Sequence, residues 1–493
     1  MPSASGVVLA IDAGTTGVRT RAVFADGRTS IADYREFTQH YPEPGWVEHD
    51  AEEIWQAVRA TLQSVCSRIT EPIAAIGITN QRETIVAIDR RTGAPLHRAI
   101  VWQDRRTAAR CDALAQHLDL VRNTTGLVLD PYFSGSKIEW LLRNTEVARA
   151  KNLAFATIDA FLVHRLTGGT SFFTDVTNAS RTLLFDIRSL CWSNDTCAMF
   201  DVDQHHLPEV RPSSGRFGAT IADGAIPAGI PISGIAGDQQ AALFGQACFS
   251  PGSAKNTYGT GSFVLLNVGT TCPAPTTGML TTVAWQLGSQ PAVYALEGAI
   301  FVTGAAVQWL RDGLSIISAS HEVGRLAESV ADSGGVTLVP AFAGLGSPWW
   351  DPYARGAIFG ITRGTSRAHL ARATVESMVY QTRDVVDAMT RASGIAIRDL
   401  RVDGGAAVMN LMLQLQSDQL GVDVLRPTEL ETTAMGAAYL AGLAEGVWGS
   451  TNDIAERWAL DRRFTPSADA TTRDAAHAQW LRAVERSRNW IAN

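Results

Sequence analysis

One pattern, written twice, constrains the fold more than any other feature of the chain. IDAGTTGVRTRAV, Ile11 to Val23, and NTYGTGSFVLLNVG, Asn256 to Gly269, each run from a strand-like segment through a Gly-Thr turn into a second strand. At 493 residues the chain exceeds what one hydrophobic core usually organises, so two domains are expected. The repeat predicts that the two are alike, an internal duplication with a cleft between its halves. A Pro/Gly-rich stretch, ADGAIPAGIPISGIAGD, and the segment SPGSA at Ser250 to Ala254 mark the seam, placing a boundary near residue 247 and domains at 1–247 and 248–493.

Strand-like segments near Ala75 to Ile78 and Ile85 to Asp89 alternate with helical ones at Glu52 to Cys66, Arg106 to Ala115 and Ser136 to Asn144, so the class is α/β. In the second half an amphipathic segment, Thr303 to Asp312, precedes a long helix that starts near Ser366 and ends before Gly394. Leu370, Ala373, Val379, Val385, Val386 and Met389 form its apolar stripe, which is core packing. TAMGAAYLAGLAEG reads as a helix of small residues made for close packing, with no chemistry assigned.

Composition excludes several classes. With a net charge of −7 the chain offers nothing attractive to nucleic acid or an anionic membrane. No apolar run reaches transmembrane length, and MPSASG lacks the basic start and apolar core of a signal peptide, which predicts a cytoplasmic protein. The six cysteines show no CxxC or Cys/His ligand spacing and read as reduced thiols. His205 and His206 are adjacent in an acidic loop without partner ligands, so they read as a solvated pair.

Three acidic residues stand in glycine-flanked turns: Asp12, Asp238 in GIAGDQQAALFGQ and Asp403 in LRVDGGA. The turn from Gly14 to Gly17 offers backbone N–H groups and the hydroxyls of Thr15 and Thr16 to a phosphate, because glycine lets the backbone approach closely. Carboxylates beside such a loop, Asp12 and Asp238, suit a hydrated magnesium ion. LRVDGGAAVMN reads as strand, Gly-Gly turn and helix, where backbone can lie against adenosine phosphates. Together the three turns read as a phosphotransferase.

The motifs TNQRET, VWQDRRT, TTGLVLDPYFSGSKIEWLLRN, TDVTNASRT, GIAGDQQAALFGQ, AKNTYGTGSF and GLGSPWWDPYARGAIFGITRG follow one another in the order found in the FGGY carbohydrate kinases and, within them, the glycerol kinases; the chain resembles that family from about Val7 to Gly449. The resemblance implies the sugar kinase, actin and chaperone-ATPase fold, ribonuclease H-like in each half, closing on a central nucleotide and substrate cleft. It implies ATP with Mg²⁺ as phosphoryl donor and glycerol as acceptor, with sn-glycerol 3-phosphate as product. Asp238 is similar to the family's catalytic base. Arg82, Glu83, Tyr132, Asp238 and Gln239 match its polar glycerol cradle, and Trp102 and Phe263 its apolar walls. Thr15, Thr16, Gly17 and Arg19 match the first phosphate loop and Thr260 the second, with Gly304 and Gln308 in the nucleotide cleft and Gly405 and Met409 at the adenosine end.

Two positions depart from the family pattern. Gly17 stands where these enzymes more often carry a serine, and Met409 where an asparagine is common, with Asn410 following. Both touch nucleotide contacts, while the seven glycerol-facing positions are retained. The assemblies the resemblance suggests are a homodimer or a homotetramer. Two other readings stand beside the first: an FGGY kinase acting on erythritol, xylulose or dihydroxyacetone, and a non-catalytic nucleotide switch, since fold alone does not give function.

Overall fold

The computed structural model describes residues 6–28 and 30–491. All of the segment read for targeting except Gly6 lies outside the described residues, as do the last two residues of the second domain range. No described helix is long and apolar enough to cross a membrane.

Two large sheets carry the architecture. In the first, Val7–Ala13 forms an antiparallel hairpin with Gly17–Phe24, which pairs in turn with Ile31–Glu36; on its other side Val7–Ala13 runs parallel to Ile73–Asn80, followed by Pro231–Gly237. The second sheet repeats this order. Ser253–Tyr258 pairs antiparallel with Ser262–Gly269 and then Val293–Ile300, and on its other side runs parallel to Asp399–Asp403 and then Asp423–Pro427. The two Gly-Thr hairpins thus occupy equivalent places, as the repeat predicts.

Period-two alternation assigns the faces of the first hairpin. Val7, Leu9 and Ile11 point into a core with Ile54, Val58 and Leu62 of the helix Ala51–Cys66, whose N-terminus is capped by Asp50 accepting from the Glu52 N–H at 2.8 Å. Val8 and Ala10 point the other way, into a core shared with the helices Asp238–Gly245 and Thr432–Ala444 and with Leu265, Ala284 and Ala295 of the second sheet. The far face of the second sheet is closed by the helix Arg367–Ser393, through Val375, Met378, Val385 and Met389. This helix has a capping box at Ser366 and His369 and a left-handed cap at Gly394, φ 69°.

The predicted helix Arg106 to Ala115 is shorter, Ala108–Ala113. Arg106 is instead held between the Trp46 and Trp140 rings, 3.7 and 4.7 Å from their centroids, and paired with Glu48 and Asp104, so the helix starts beyond it. The amphipathic segment at Thr303 narrows to Gly304–Gln308 and widens into a π turn at Trp309–Gly313.

The small-residue helix Thr432–Ala444 explains itself by where it sits. It fills the seam between the sheets, crossing Asp238–Gly245 so closely that a Cβ on Gly436 would lie 1.9 Å from the Ala241 carbonyl oxygen. Gly436→Ala is expected to destabilise the protein by about 1–3 kcal/mol, because backbone on both sides must part to admit the methyl. A urea midpoint equal to that of the wild type would show that the crossing is looser than described.

Candidate active site

Open α/β sheets bind ligands at the carboxyl ends of their strands. Here those ends deliver Asp12, next to last in Val7–Ala13, the Gln81–Glu83 turn after Ile73–Asn80, and Asp238 immediately after Pro231–Gly237. In the second half the Gly259–Thr260 turn closes the equivalent hairpin, braced by the Gly304 N–H donating to the Gly259 carbonyl at 3.0 Å.

Asp238 opens the helix Asp238–Gly245, with a carboxylate 32% exposed. Its Oδ1 accepts from the Gln239 N–H at 2.7 Å and faces Arg82 Nε at 3.1 Å. The half-buried Asp12 carboxyl is pushed up to about 7, first by desolvation and next by the charge of Asp238, with Arg19 opposing. A desolvated carboxyl that also feels a second carboxylate is the arrangement a divalent cation relieves. No cluster of three or more His, Cys, Asp or Glu among the described residues has metal-holding geometry. A donor set of two carboxylates fits magnesium, which keeps several waters and takes further oxygens from phosphates.

Arg82 is 2% exposed and is the hub of the residues predicted to face the acceptor. Besides Asp238 it donates to Glu297 at 2.5 and 3.1 Å, to Gln240 Oε1 at 3.2 Å and to the Tyr132 hydroxyl at 3.4 Å. Glu83 turns back with φ 62°, its carbonyl accepting from Ser134 Oγ at 3.0 Å. Its carboxylate accepts from Arg181 Nε at 2.7 Å, and Arg181 also donates to Glu297 at 2.9 Å. Trp102 and Tyr132 meet edge to face at 5.6 Å, and Arg82 lies 5.9 Å from the Phe263 centroid. The seven residues predicted to face the acceptor are therefore neighbours. Gln239 is held by Lys255, whose Nζ donates to its Oε1 and to Thr257 Oγ1 at 2.9 Å.

Arg181, Glu297 and Lys255, all fully buried, are not among the predicted site residues. Each carried a signal: Glu297 is the one charge in the apolar strand VYALEGAI, and Lys255 and Arg181 are lone cations in AKNTYGTGSF and TDVTNASRT. Burial pushes Lys255 down to about 8.

The predicted nucleotide residues fall in two places. Thr260, Gly304, Gln308, Gly405 and Met409 line a cavity of about 900 Å³ in the second half. Thr15, Thr16, Gly17 and Arg19 lie on the first hairpin, away from that cavity. The Thr15 hydroxyl accepts from Trp102 Nε1 at 2.9 Å, so Trp102 is more than an apolar wall. A Cβ on Gly17 would lie 2.5 Å from the Tyr34 hydroxyl, which explains the missing serine: Tyr34 fills its space and reaches the Thr16 hydroxyl at 3.3 Å. Arg19 is ion-paired with Glu431. At the other departure, Asn410 also lines that cavity, and its Oδ1 accepts from Arg426 at 3.1 Å.

Asp403, the third glycine-flanked carboxylate, is tied into the seam between the halves. It is 2% exposed and accepts from Thr432 Oγ1 at 2.5 Å and Gln246 Nε2 at 2.9 Å. Through Oδ2, which accepts both bonds, it ties the end of one seam helix to the start of the other.

A duplicated five-stranded motif with equivalent Gly-Thr hairpin turns, a carboxylate pair and a buried charge network define a phosphotransferase of the sugar kinase and actin architecture. Profiles for the N-terminal and C-terminal domains of the FGGY family of carbohydrate kinases match residues 7–245 and 254–445, and the chain belongs to that family. It is 53% identical over 492 residues to a glycerol kinase of Dechloromonas aromatica, covering 98% of each chain, and 52% identical over 491 residues to one of Deinococcus radiodurans, again covering 98% of each. Among solved structures, the Plasmodium falciparum glycerol kinase with ADP superposes with a TM-score of 0.93 at 34% identity, over 99% of each chain. A ligand-bound xylulose kinase of Lactobacillus acidophilus shares the fold, with a TM-score of 0.86 at 19% identity over 98% of each chain.

Glu297, flanked by two guanidinium groups, is held down to about 2 although burial alone would raise it. A carboxylate whose folded value lies below its unfolded value near 4.5 stabilises fully above about pH 4.5, and that contribution is lost as pH falls toward 2. Glu297→Gln is expected to cost about 3–5 kcal/mol at pH 7, since it leaves Arg82 and Arg181 short of a counter-charge. The difference from wild type should shrink at pH 3. A difference in urea midpoint that stays constant between pH 7 and pH 3 would show that Glu297 is not held as an anion.

Proposed function

We propose that this chain transfers the γ-phosphoryl group of ATP to glycerol, giving sn-glycerol 3-phosphate and ADP. The observation that carries the reading is the joining of one partly exposed carboxylate, Asp238, to a buried pocket whose donors and acceptors match a small triol. Glycerol kinases at 52–53% identity over nearly the whole length support the same acceptor.

Glycerol hydroxyls both donate and accept, so Arg82 serves as donor and Glu83 and Asp238 as acceptors. Gln239, fixed by Lys255, and the Tyr132 hydroxyl complete the polar side, and Trp102 and Phe263 face the carbons. Asp238 takes the proton of the attacking hydroxyl as the new O–P bond forms, while Arg82 Nε at 3.1 Å holds the carboxylate in place. Phosphoryl transfer depends mainly on positioning and charge stabilisation, which the Gly14–Gly17 and Gly259–Thr260 turns supply from opposite sides of the cleft. Magnesium, held by Asp12 and Asp238, would neutralise charge on the phosphates. The adenosine end of ATP belongs in the cavity lined by Gly304, Gln308, Gly405 and Met409. We divide the chain functionally at residue 247, the first unit binding glycerol and carrying the base, the second binding the nucleotide. A cytoplasmic enzyme working as a homodimer or homotetramer completes the proposal.

ADP release across glycerol, the propanediols, erythritol, xylulose, dihydroxyacetone and water alone tests the acceptor. Glycerol should be preferred, with propanediols slower by up to about 10,000-fold because they leave buried polar groups unpaired. Faster turnover of a four- or five-carbon acceptor would move the assignment within the family, and ADP release unaffected by any acceptor would make the protein a nucleotide switch.

Asp238→Asn keeps the shape of the side chain but cannot take the proton. It is expected to lower kcat by about 100-fold or more while ADP affinity is retained. Near wild-type turnover in this variant would remove Asp238 from the role of base.

A further inference from the structure

Behind the Gly14–Gly17 turn, two glutamines and a histidine form a closed relay. Gln39 Nε2 donates to the Thr15 carbonyl at 3.0 Å, and Gln81 Nε2 donates to the Gly14 carbonyl at 3.1 Å. His49 stands between them, its Nε2 2.6 Å from Gln39 Oε1 and its Nδ1 3.3 Å from Gln81 Nε2.

The amide orientations are set by their outer partners. Gln81 places its nitrogen on the Gly14 carbonyl and its oxygen on the Thr84 hydroxyl at 2.8 Å, so it offers His49 a donor. Gln39 places its nitrogen on the Thr15 and Phe37 carbonyls and offers His49 an acceptor. Only the neutral imidazole protonated on Nε2 satisfies both. His49 is fully buried, and desolvation, with the nearby His40, pushes it down to about 4, which keeps it neutral.

A peptide plane is rigid, so a pinned carbonyl also aims the N–H of the following residue in the opposite direction. Gln81 thereby sets the Thr15 N–H and Gln39 the Thr16 N–H. Neither N–H meets an acceptor among the described residues, although the neighbouring Gly14 N–H is taken by Gly17 and the Phe37 N–H by Thr16. The relay fixes two donors that the fold itself does not use.

We infer that His49 is a positioning residue for phosphoryl transfer, which, through Gln39 and Gln81, aims the Thr15 and Thr16 N–H groups at the phosphates of the nucleotide. The inference rests on the reading of this turn as a phosphate loop.

His49→Phe removes both arms, whereas His49→Asn retains an acceptor near Nδ1 for the Gln81 arm and His49→Gln retains a donor near Nε2 for the Gln39 arm. His49→Phe should raise KM for MgATP and Kd for ADP by about tenfold, with KM for glycerol changed less than about twofold. Gln81→Leu should cost about tenfold in the wild type but under about threefold when added to His49→Gln, whose Gln81 arm is already broken. Gln39→Leu should behave likewise on His49→Asn. Wild-type nucleotide constants in His49→Phe, or fold-changes that simply multiply in the double variants, overturn the relay. Should His49→Phe not fold, the two conservative variants and their double mutants decide the matter.

Amide exchange at Thr15 and Thr16, with and without magnesium and a non-hydrolysable ATP analogue, separates the two layers. Absence of protection in the wild type overturns the phosphate-loop reading. Protection in the wild type that persists unchanged in the His49 variants, with unchanged affinity, overturns the relay alone.

Discussion

The site depends on a charge network sealed at the seam between the two halves. Arg82 and Glu83 come from one turn of the first sheet, Arg181 from a segment beneath it and Glu297 from a strand of the second sheet, and all four are almost wholly buried. Bringing four charges out of water is costly, and mutual attraction offsets that cost only when every charge is paired in good geometry. Here two guanidiniums and two carboxylates alternate, so each ion has partners of opposite sign. Apolar residues would fill the same space more cheaply, but would not specify how the halves register. Glu297, contributed by the other half, makes the geometry of Arg82, and so of Asp238, a property of the closed pair of halves.

That dependence organises the chemistry next to it. Arg82 divides its donors between Glu297, which is fully buried, and Asp238, which is partly exposed. The first contact fixes the guanidinium plane; the second aims the carboxylate. Asp12 shows the converse arrangement, a carboxyl with no comparable partner beside a second carboxylate, and it resists ionisation.

Much of the architecture was legible in the sequence because it is local. The twin hairpins, the long helix between Ser366 and Gly394 and the small-residue helix all follow from spacing and capping, and they lie where those signals put them. The acceptor residues were legible only through family resemblance, since Arg82 and Glu83 taken alone read as a charged surface turn. What escaped was long-range. Glu297 meets Arg82 across 215 positions, and no window of sequence joins them. Asp403 looked like a site residue because its Gly-Gly turn resembles the others, and its part in the seam, where Oδ2 accepts from both Thr432 and Gln246, is invisible locally. The meaning of Gly17 was likewise hidden until Tyr34 was seen filling the space of the absent side chain.

The same contrast explains why the two phosphate-facing turns are built differently. The first turn is short, joins strands that pair in register from Val7↔Phe24 to Ala13↔Val18, and carries two threonines whose hydroxyls already engage Trp102 and Tyr34. Its remaining free donors are backbone N–H groups, so their direction has to be imposed from behind, by side chains. The second turn is braced by main chain alone, with Thr303, Gly304 and Ala305 donating to the carbonyls of Gly259 and Thr260 at 2.9 to 3.0 Å. One turn is oriented by a side-chain relay within its own half, and the other by the start of the helix Gly304–Gln308, which also lines the nucleotide cavity. The two donor sets are thus oriented independently, each from within its own half.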